Sequence, residues 1–193
     1  MPKVEDRLRE LALDHAGYFT SFEAAHAGIP QKAVVQLAQR SRITRIGHGI
    51  YRFESWPDAD MRQYHEALLW PQAQRALPYA AVSHESALEL YGLTHLNPGV
   101  IHVTIPKTRI IRDIPRWIEL HKAELPSDER TTEHGVPIVT VVRAIYDVAE
   151  MRGLDVVHHA IHDARARNLL REDELARLGR DFGSVVTEPY NAE

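Results

Sequence analysis

Three helix-length segments followed by two β-rich runs around a glycine-containing gap constrain this chain more than any other feature. Residues 40–53 read RSRITRIGHGIYRF, with Thr44–Ile46 and Ile50–Phe53 flanking Gly47-His48-Gly49. Two such runs around a short Gly-containing loop predict a hairpin, because glycine reaches the positive φ that tight connections need. Ahead of it, Val4, Leu8, Leu11 and Ala12 share one face of a helix expected over Val4–Ala16 and ended by Gly17. A second helix follows a cap at Thr20 or Ser21, runs through FEAAHA and stops at Gly28. Pro30 then stands at the expected first position of a third helix reaching about Ser41.

Three helices and then a hairpin is the order of a winged helix-turn-helix, a fold that lays its third helix in the DNA major groove. On that helix Val34, Leu37, Ala38 and Ser41 cluster on one side, while Lys32, Gln36, Gln39 and Arg40 cluster on the other. The expected roles follow from donor geometry. Gln36 and Gln39 offer paired donors and acceptors to adenine, Arg40 a two-pronged fork to guanine, and Lys32 a charge to phosphate. Arg42, Arg45, His48 and Arg52 are the expected wing contacts. The bland alternative for each is a solvated face.

Charge is divided in the same sense. Residues 1–56 carry eight Lys/Arg against six Asp/Glu, net +2, and residues 57–193 carry fifteen against twenty-one, net -6, within an overall formal charge of -4. An anionic partner is therefore expected at the front of the molecule. We assign residues 1–56 to the winged helix-turn-helix, 57–79 to a helical connector and 80–193 to a mixed α+β domain. The connector reads as one helix from about Asp58 to Ala76 that Pro71 kinks or splits. Beyond it, Ser83 is positioned to cap a helix through Leu90, and VIHVTIP (100–106) and RWIELH (116–121) read as strands. A hairpin through Glu133-His134-Gly135 leads to PIVT, Thr140 caps the next helix, Leu154–Asn168 forms another with Val157, Ala160, Ile161 and Ala164 buried, and REDELARL is the last. Strands followed by packed helices make this part α+β.

Chemistry is narrowed by what the chain lacks. There is no cysteine among its 193 residues, which removes disulfides and thiolate chemistry. No apolar run approaches the roughly 18 residues of a membrane span, and MPKVEDRLRE has no apolar signal core. A cytoplasmic protein with no membrane partner is expected, and no cofactor is implied. No glycine-rich phosphate loop is present. Ser83-His84-Glu85 are sequence neighbours whose side chains diverge, and no G-x-S-x-G elbow surrounds them, so helix capping is the expected role of Ser83. Asp113, Glu119 and Lys122 resemble a nuclease set, but Glu119 and Lys122 are three apart and fall on opposite faces of a strand. The twelve histidines are densest in HHAIHDA, where His158 and His162, four apart, stand one helical turn from each other near His159 and Asp163. A metal-dependent enzyme built on that segment is the alternative from a different class; a solvated helix is the expectation, and no catalytic residue is assigned.

RITRIGHGIYRF behind the helices, then AVSHESALELYGLTH, VIHVTIPK and HGVPIVTVVRAIYDVAE, resemble in that order the AbiEi family of bacterial type IV antitoxins, over about residues 5–170. The resemblance implies a non-enzymatic transcriptional regulator. Its winged helix binds inverted repeats in the promoter of its own toxin-antitoxin operon as two copies on double-stranded DNA and represses it, and its C-terminal domain counters a nucleotidyltransferase-like toxin. One departure is VVRAIYDVAE, where relatives more often open the helix with a Ser-Pro-Ala-Arg-Thr-like run. Arg143 and Asp147, four apart, are kept and suit a helix ion pair. A stand-alone regulator with no toxin partner is the alternative within the same fold.

Overall fold

Thr20 and Glu23 show how local chemistry sets the first elements. In the computed structural model, which describes residues 3–57, 61–73, 75–93, 99–107, 111 and 113–183, the Thr20 hydroxyl accepts from the Glu23 amide at 3.1 Å and the Glu23 carboxylate accepts from the Thr20 amide at 2.7 Å. This reciprocal cap starts α2 (Ser21–His26). Before it come α1 (Val4–Ala12), a 3₁₀ turn (Leu13–His15) and β1 (Tyr18–Thr20). Ala16 at φ 50° and Gly17 at φ 89° reverse the chain into β1, so α1 ends sooner than the expected Ala16. After α2 come α3 (Gln31–Gln39), β2 (Ile43–Gly47) and β3 (Ile50–Phe53). Pro30 is the residue before α3 rather than its first, and Arg40 caps the C-terminus while Ser41, at φ 52°, leads out.

β1, β3 and β2 form an antiparallel sheet in that spatial order, with Phe19 opposite Tyr51 and Thr44 opposite Arg52. One face joins α1–α3 through Leu8, Ala12, Phe19, Val34, Ile43, Tyr51 and Phe53. Leu8, Phe19, Val34 and Phe53 are fully buried, and each contributes about 1.5–3 kcal/mol by leaving water. The other face presents Tyr18 and Ile50 to Leu69, Ala73 and Trp70. Those partners come from α4 (Arg62–Leu69), the 3₁₀ turn Trp70–Gln72, where Pro71 breaks the helix as expected, and Ala73 just after it. The expected start at Asp58 lies outside the described residues.

The remaining elements are β4 (Ala81–Val82), α5 (His84–Leu90), β5 (Ile101–Ile105), β6 (Ile118–Lys122), a 3₁₀ turn (Ser127–Glu129), β7 (Arg130–Glu133), β8 (Val136–Val139), α6 (Val141–Ala149), α7 (Leu154–Ala166) and α8 (Glu172–Phe182). The second sheet runs β6-β5-β4-β8-β7. β5 is parallel to β6 and β4 to β8, while β4–β5 and β7–β8 are antiparallel. Val82, Val103, Ile105, Ile138, Ile145, Val148 and Ile161 form its core with the helices. Thr140 caps α6 by accepting from the Arg143 amide, and Val157, Ala160, Ile161 and Ala164 of α7 are buried as the spacing predicts. α8 runs beyond REDELARL to Phe182. Among the described residues no helix is long and apolar enough to cross a membrane.

Candidate functional sites

α3 turns Val34 inward and leaves Lys32, Val35, Gln36, Gln39 and Arg40 exposed, with Leu37 and Ala38 half-buried. Val35 at 40% exposure is an apolar member of this face that the wheel argument passed over. Residues 24–53 contain five Lys/Arg and no Asp/Glu, so the surface around α3 has few local counter-charges. Arg45 stands opposite Tyr51, whose hydroxyl accepts from Gln31 Nε2 of α3 at 3.3 Å. Cross-strand partners share a face, which puts Arg45 on the α3 side of the sheet.

The other wing residues are placed differently. Arg42 is exposed and donates to Glu5 of α1 at 2.8 Å. Arg52 lies on the reverse face, where its guanidinium sits 5.7 Å over the Tyr18 ring and donates to the Trp56 carbonyl at 3.3 Å. The hairpin loop is tighter than expected: Gly47 still pairs with Ile50, leaving a two-residue turn of the exposed His48 and the buried Gly49, the latter at φ 78°. The Gly49 carbonyl accepts from the Ser21 amide at 2.7 Å. The tip is thereby tied to the start of α2.

A second constellation lies at the β4–β5–β6 end of the larger sheet. His102 and Thr104 of β5 share a face, and their partners in register are Glu119 and His121 of β6. α5 adds His84, whose ring lies on that of His121 at 3.6 Å and 5.7 Å from that of His102. His84 has φ 54°, a backbone conformation that costs a non-glycine residue roughly 1–3 kcal/mol and that gathers at functional sites. Ser83 precedes α5 but makes no side-chain cap. Its hydroxyl instead accepts from Thr104 Oγ1 at 2.7 Å and lies 2.9 Å from His84 Nδ1. The capping role expected from sequence is thus replaced by a place in this network.

α6 closes the constellation. Arg143 Nε donates to Asp147 Oδ1 at 2.7 Å, confirming the expected ion pair, and Arg143 also binds Glu129. Asp147 Oδ2 lies 3.8 Å from His84 Nδ1. Because Ser83 and Asp147 both face the same imidazole nitrogen, the set has no relay of the serine-hydrolase kind, which needs one partner on each nitrogen. Burial pushes the His84 imidazole down to about 3, with His121 and His102 adding to the effect. Burial lowers His102 and His121 as well. It raises the Asp147 carboxyl to about 6 against the pull of Arg143. Burial thus favours the neutral form of all three imidazoles.

The HHAIHDA segment does not assemble in this way. On α7, His159 and His162 each pair with Asp163, at 3.4 and 3.2 Å. Among the described residues, the one group of three donors close enough to share a metal is His102, Glu119 and His121. Sequence reasoning missed it because its members lie on separate strands. The signal present was His-x-Thr and Glu-x-His, period-two polar residues on the two expected strands.

Comparison with known proteins agrees with both halves of the fold. The solved structure of the Mycobacterium tuberculosis RV2827C protein is similar over 96% of this chain and 74% of its own, with a TM-score of 0.53 and 14% identity. A search of curated proteins finds no significant match. Residues 6–53 match a family described as a transcriptional regulator, AbiEi antitoxin, and residues 79–180 match the AbiEi antitoxin C-terminal domain. The second match alone spans more than half of the sequence, and the chain belongs to the AbiEi antitoxin family of transcriptional regulators.

Proposed function

We propose that this chain is a DNA-binding autorepressor antitoxin: its winged helix binds inverted repeats in its own promoter, and its C-terminal domain counters a nucleotidyltransferase-like toxin. The observation that carries the DNA reading is the exposed face of α3, where Lys32, Gln36, Gln39 and Arg40 stand together in a stretch with no acidic residue. Their length and chemistry suit base edges and phosphate. Arg45 and His48 extend that surface, and Arg42 joins it on exchanging Glu5 for phosphate. Residues 1–56 form the DNA-binding unit, 57–79 the connector and 80–193 the antitoxin domain. The net charge of -6 beyond residue 56 makes that part of the chain a poor partner for DNA, which favours a protein or cellular target for it. The protein acts in the cytoplasm without catalysing a reaction, and two copies occupy the repeats.

Binding of a labelled promoter duplex, followed by fluorescence anisotropy across a salt series, tests the DNA reading. Affinity is expected to fall steeply with salt, because phosphate contacts release counterions, and to exceed that for a scrambled duplex. Equal affinity for the two duplexes refutes the operator assignment. Co-expression with the product of the neighbouring gene, scoring growth rescue and promoter repression separately, tests the antitoxin assignment. Repression without rescue leaves a stand-alone regulator.

A further inference from the structure

His102, Glu119 and His121 converge from two paired strands, and we propose that they bind a divalent transition-metal ion of the zinc class. The backbone dictates the convergence. β5 and β6 are parallel, with His102 opposite Glu119 and Thr104 opposite His121. Cross-strand partners, and residues two apart on one strand, share a face. The three donors therefore stand together, on the side away from the buried Val103 and Ile105.

His102 Nδ1 and His121 Nε2 are 2.8 Å apart, and Glu119 Oε1 is 4.0 Å from that same Nε2. All three donor atoms lie within 4.8 Å of one another. Donors on one tetrahedral zinc, bound at about 2.0–2.2 Å, stand roughly 3.3–3.6 Å apart. Chelation asks the two imidazoles to part slightly and the exposed Glu119 carboxylate to swing inward. Neither movement disturbs the strands.

The surroundings orient the ligands. His102 presents its second nitrogen, Nε2, to Glu85 Oε2 at 3.6 Å, and Glu85 is gripped by Arg152 through both carboxylate oxygens. At 3.6 Å these two atoms of His102 and Glu85 stand just outside hydrogen-bond distance; a small shift that closes the gap orients the imidazole and leaves its other nitrogen for metal. The His84 ring stacked on His121 fixes the plane of the second imidazole. Two imidazoles and one carboxylate suit zinc-class ions rather than calcium or magnesium. Three protein donors leave one position for water or an external ligand, as in open rather than closed zinc sites. β6 is the edge strand, and the His121 and Glu119 side chains are 19% and 51% exposed, so an ion enters from that edge.

The test uses the full chain, freed of metal by dialysis against a chelator, then titrated with Zn²⁺ by calorimetry and with Co²⁺ by visible absorption. One equivalent should bind, with the d–d bands of tetrahedral cobalt. His121→Gln and Glu119→Gln should each weaken binding by at least the roughly 10–100-fold that loss of an outer-shell partner costs. A His158→Gln/His162→Gln double variant should bind as the parent does. Circular dichroism checks that His121→Gln folds; if it does not, Glu119→Gln, at an exposed position, decides. Failure of the parent to bind stoichiometrically, or unchanged affinity in Glu119→Gln or in folded His121→Gln, overturns the proposal.

Discussion

Arg42 Nη2 donates to Glu5 Oε1 at 2.8 Å, joining the exit from α3 to the first turn of α1 across 37 positions. Arg9 donates to the same oxygen at 3.3 Å. The Arg42 hydrogen bond holds the Glu5 carboxyl below the usual carboxylate range, against the opposing effect of burial. On the DNA reading proposed above, Glu5 competes with phosphate for Arg42. Glu5→Gln should strengthen binding to random-sequence duplex and increase the magnitude of its salt slope by about 1, while stability changes by no more than about 1 kcal/mol, as for other surface ion pairs. Anisotropy across a salt series checks this, and an unchanged slope shows that Arg42 stays off the DNA.

The proposed DNA face of α3 divides base reading from phosphate contact. Arg40→Ala and Gln36→Ala should each cost about 1–3 kcal/mol of operator affinity and relax discrimination between operator and scrambled duplex. Lys32→Ala should weaken both duplexes alike and reduce the salt slope by about 1. Arg52→Ala, on the reverse face over Tyr18, should lower thermal stability and leave the salt slope unchanged. Parallel measurements on the four variants distinguish these outcomes.

The indole of Trp70 lies against Gly47, where an added Cβ would come within 2.2 Å of the ring. Gly47→Ala should therefore overpack this contact and cost about 1–3 kcal/mol. The melting temperature should fall by roughly 2–4 °C for each kcal/mol lost. Combining it with Trp70→Ala should be less harmful than the sum of the two single changes, because the smaller side chain removes the clash. Thermal denaturation of the two single variants and the double variant supplies the cycle.

Asp147 sets a pH dependence of uncommon sign. Burial raises its carboxyl from 3.8 to about 6 in the folded protein, so between those values the native state binds more protons than the unfolded chain. Its contribution to stability is fully present below about pH 3.8 and is lost as pH rises through about 6. Asp147→Asn removes that dependence. Melting curves of parent and variant should therefore shift in the variant's favour as pH rises from 4 to 7, and a constant offset across that range refutes the raised carboxyl.

The helical front was legible because its signals are local. Thr20 with Glu23, Pro30 ahead of α3 and the buried stripe through Val34 each act within one or two turns. β1 was missed because Tyr18, Phe19 and Thr20 are all buried and show no alternation; only pairing with β3 makes them a strand. The polar constellation escaped for a related reason. His84, His102 and His121 meet through a parallel strand pairing and a helix start, and such long-range register leaves no spacing rule in the chain. HHAIHDA drew attention because its histidines are close in sequence, yet on α7 two of them, His159 and His162, pair with Asp163 instead of converging on a shared site. Ser83 was read by position as a cap, whereas the neighbouring Thr104 on β5 redirects its hydroxyl.

The three-stranded sheet is dressed on both sides, by the helices through Phe19 and Phe53 and by α4 and its 3₁₀ extension through Tyr18 and Ile50. Neither broad face is left for a second copy of the chain. On the operator proposed above, two copies can then meet only through helix flanks, hairpin edges or the larger body. Where the copies do touch, half-site spacing becomes a ruler for the girth of the whole molecule rather than of its first 56 residues.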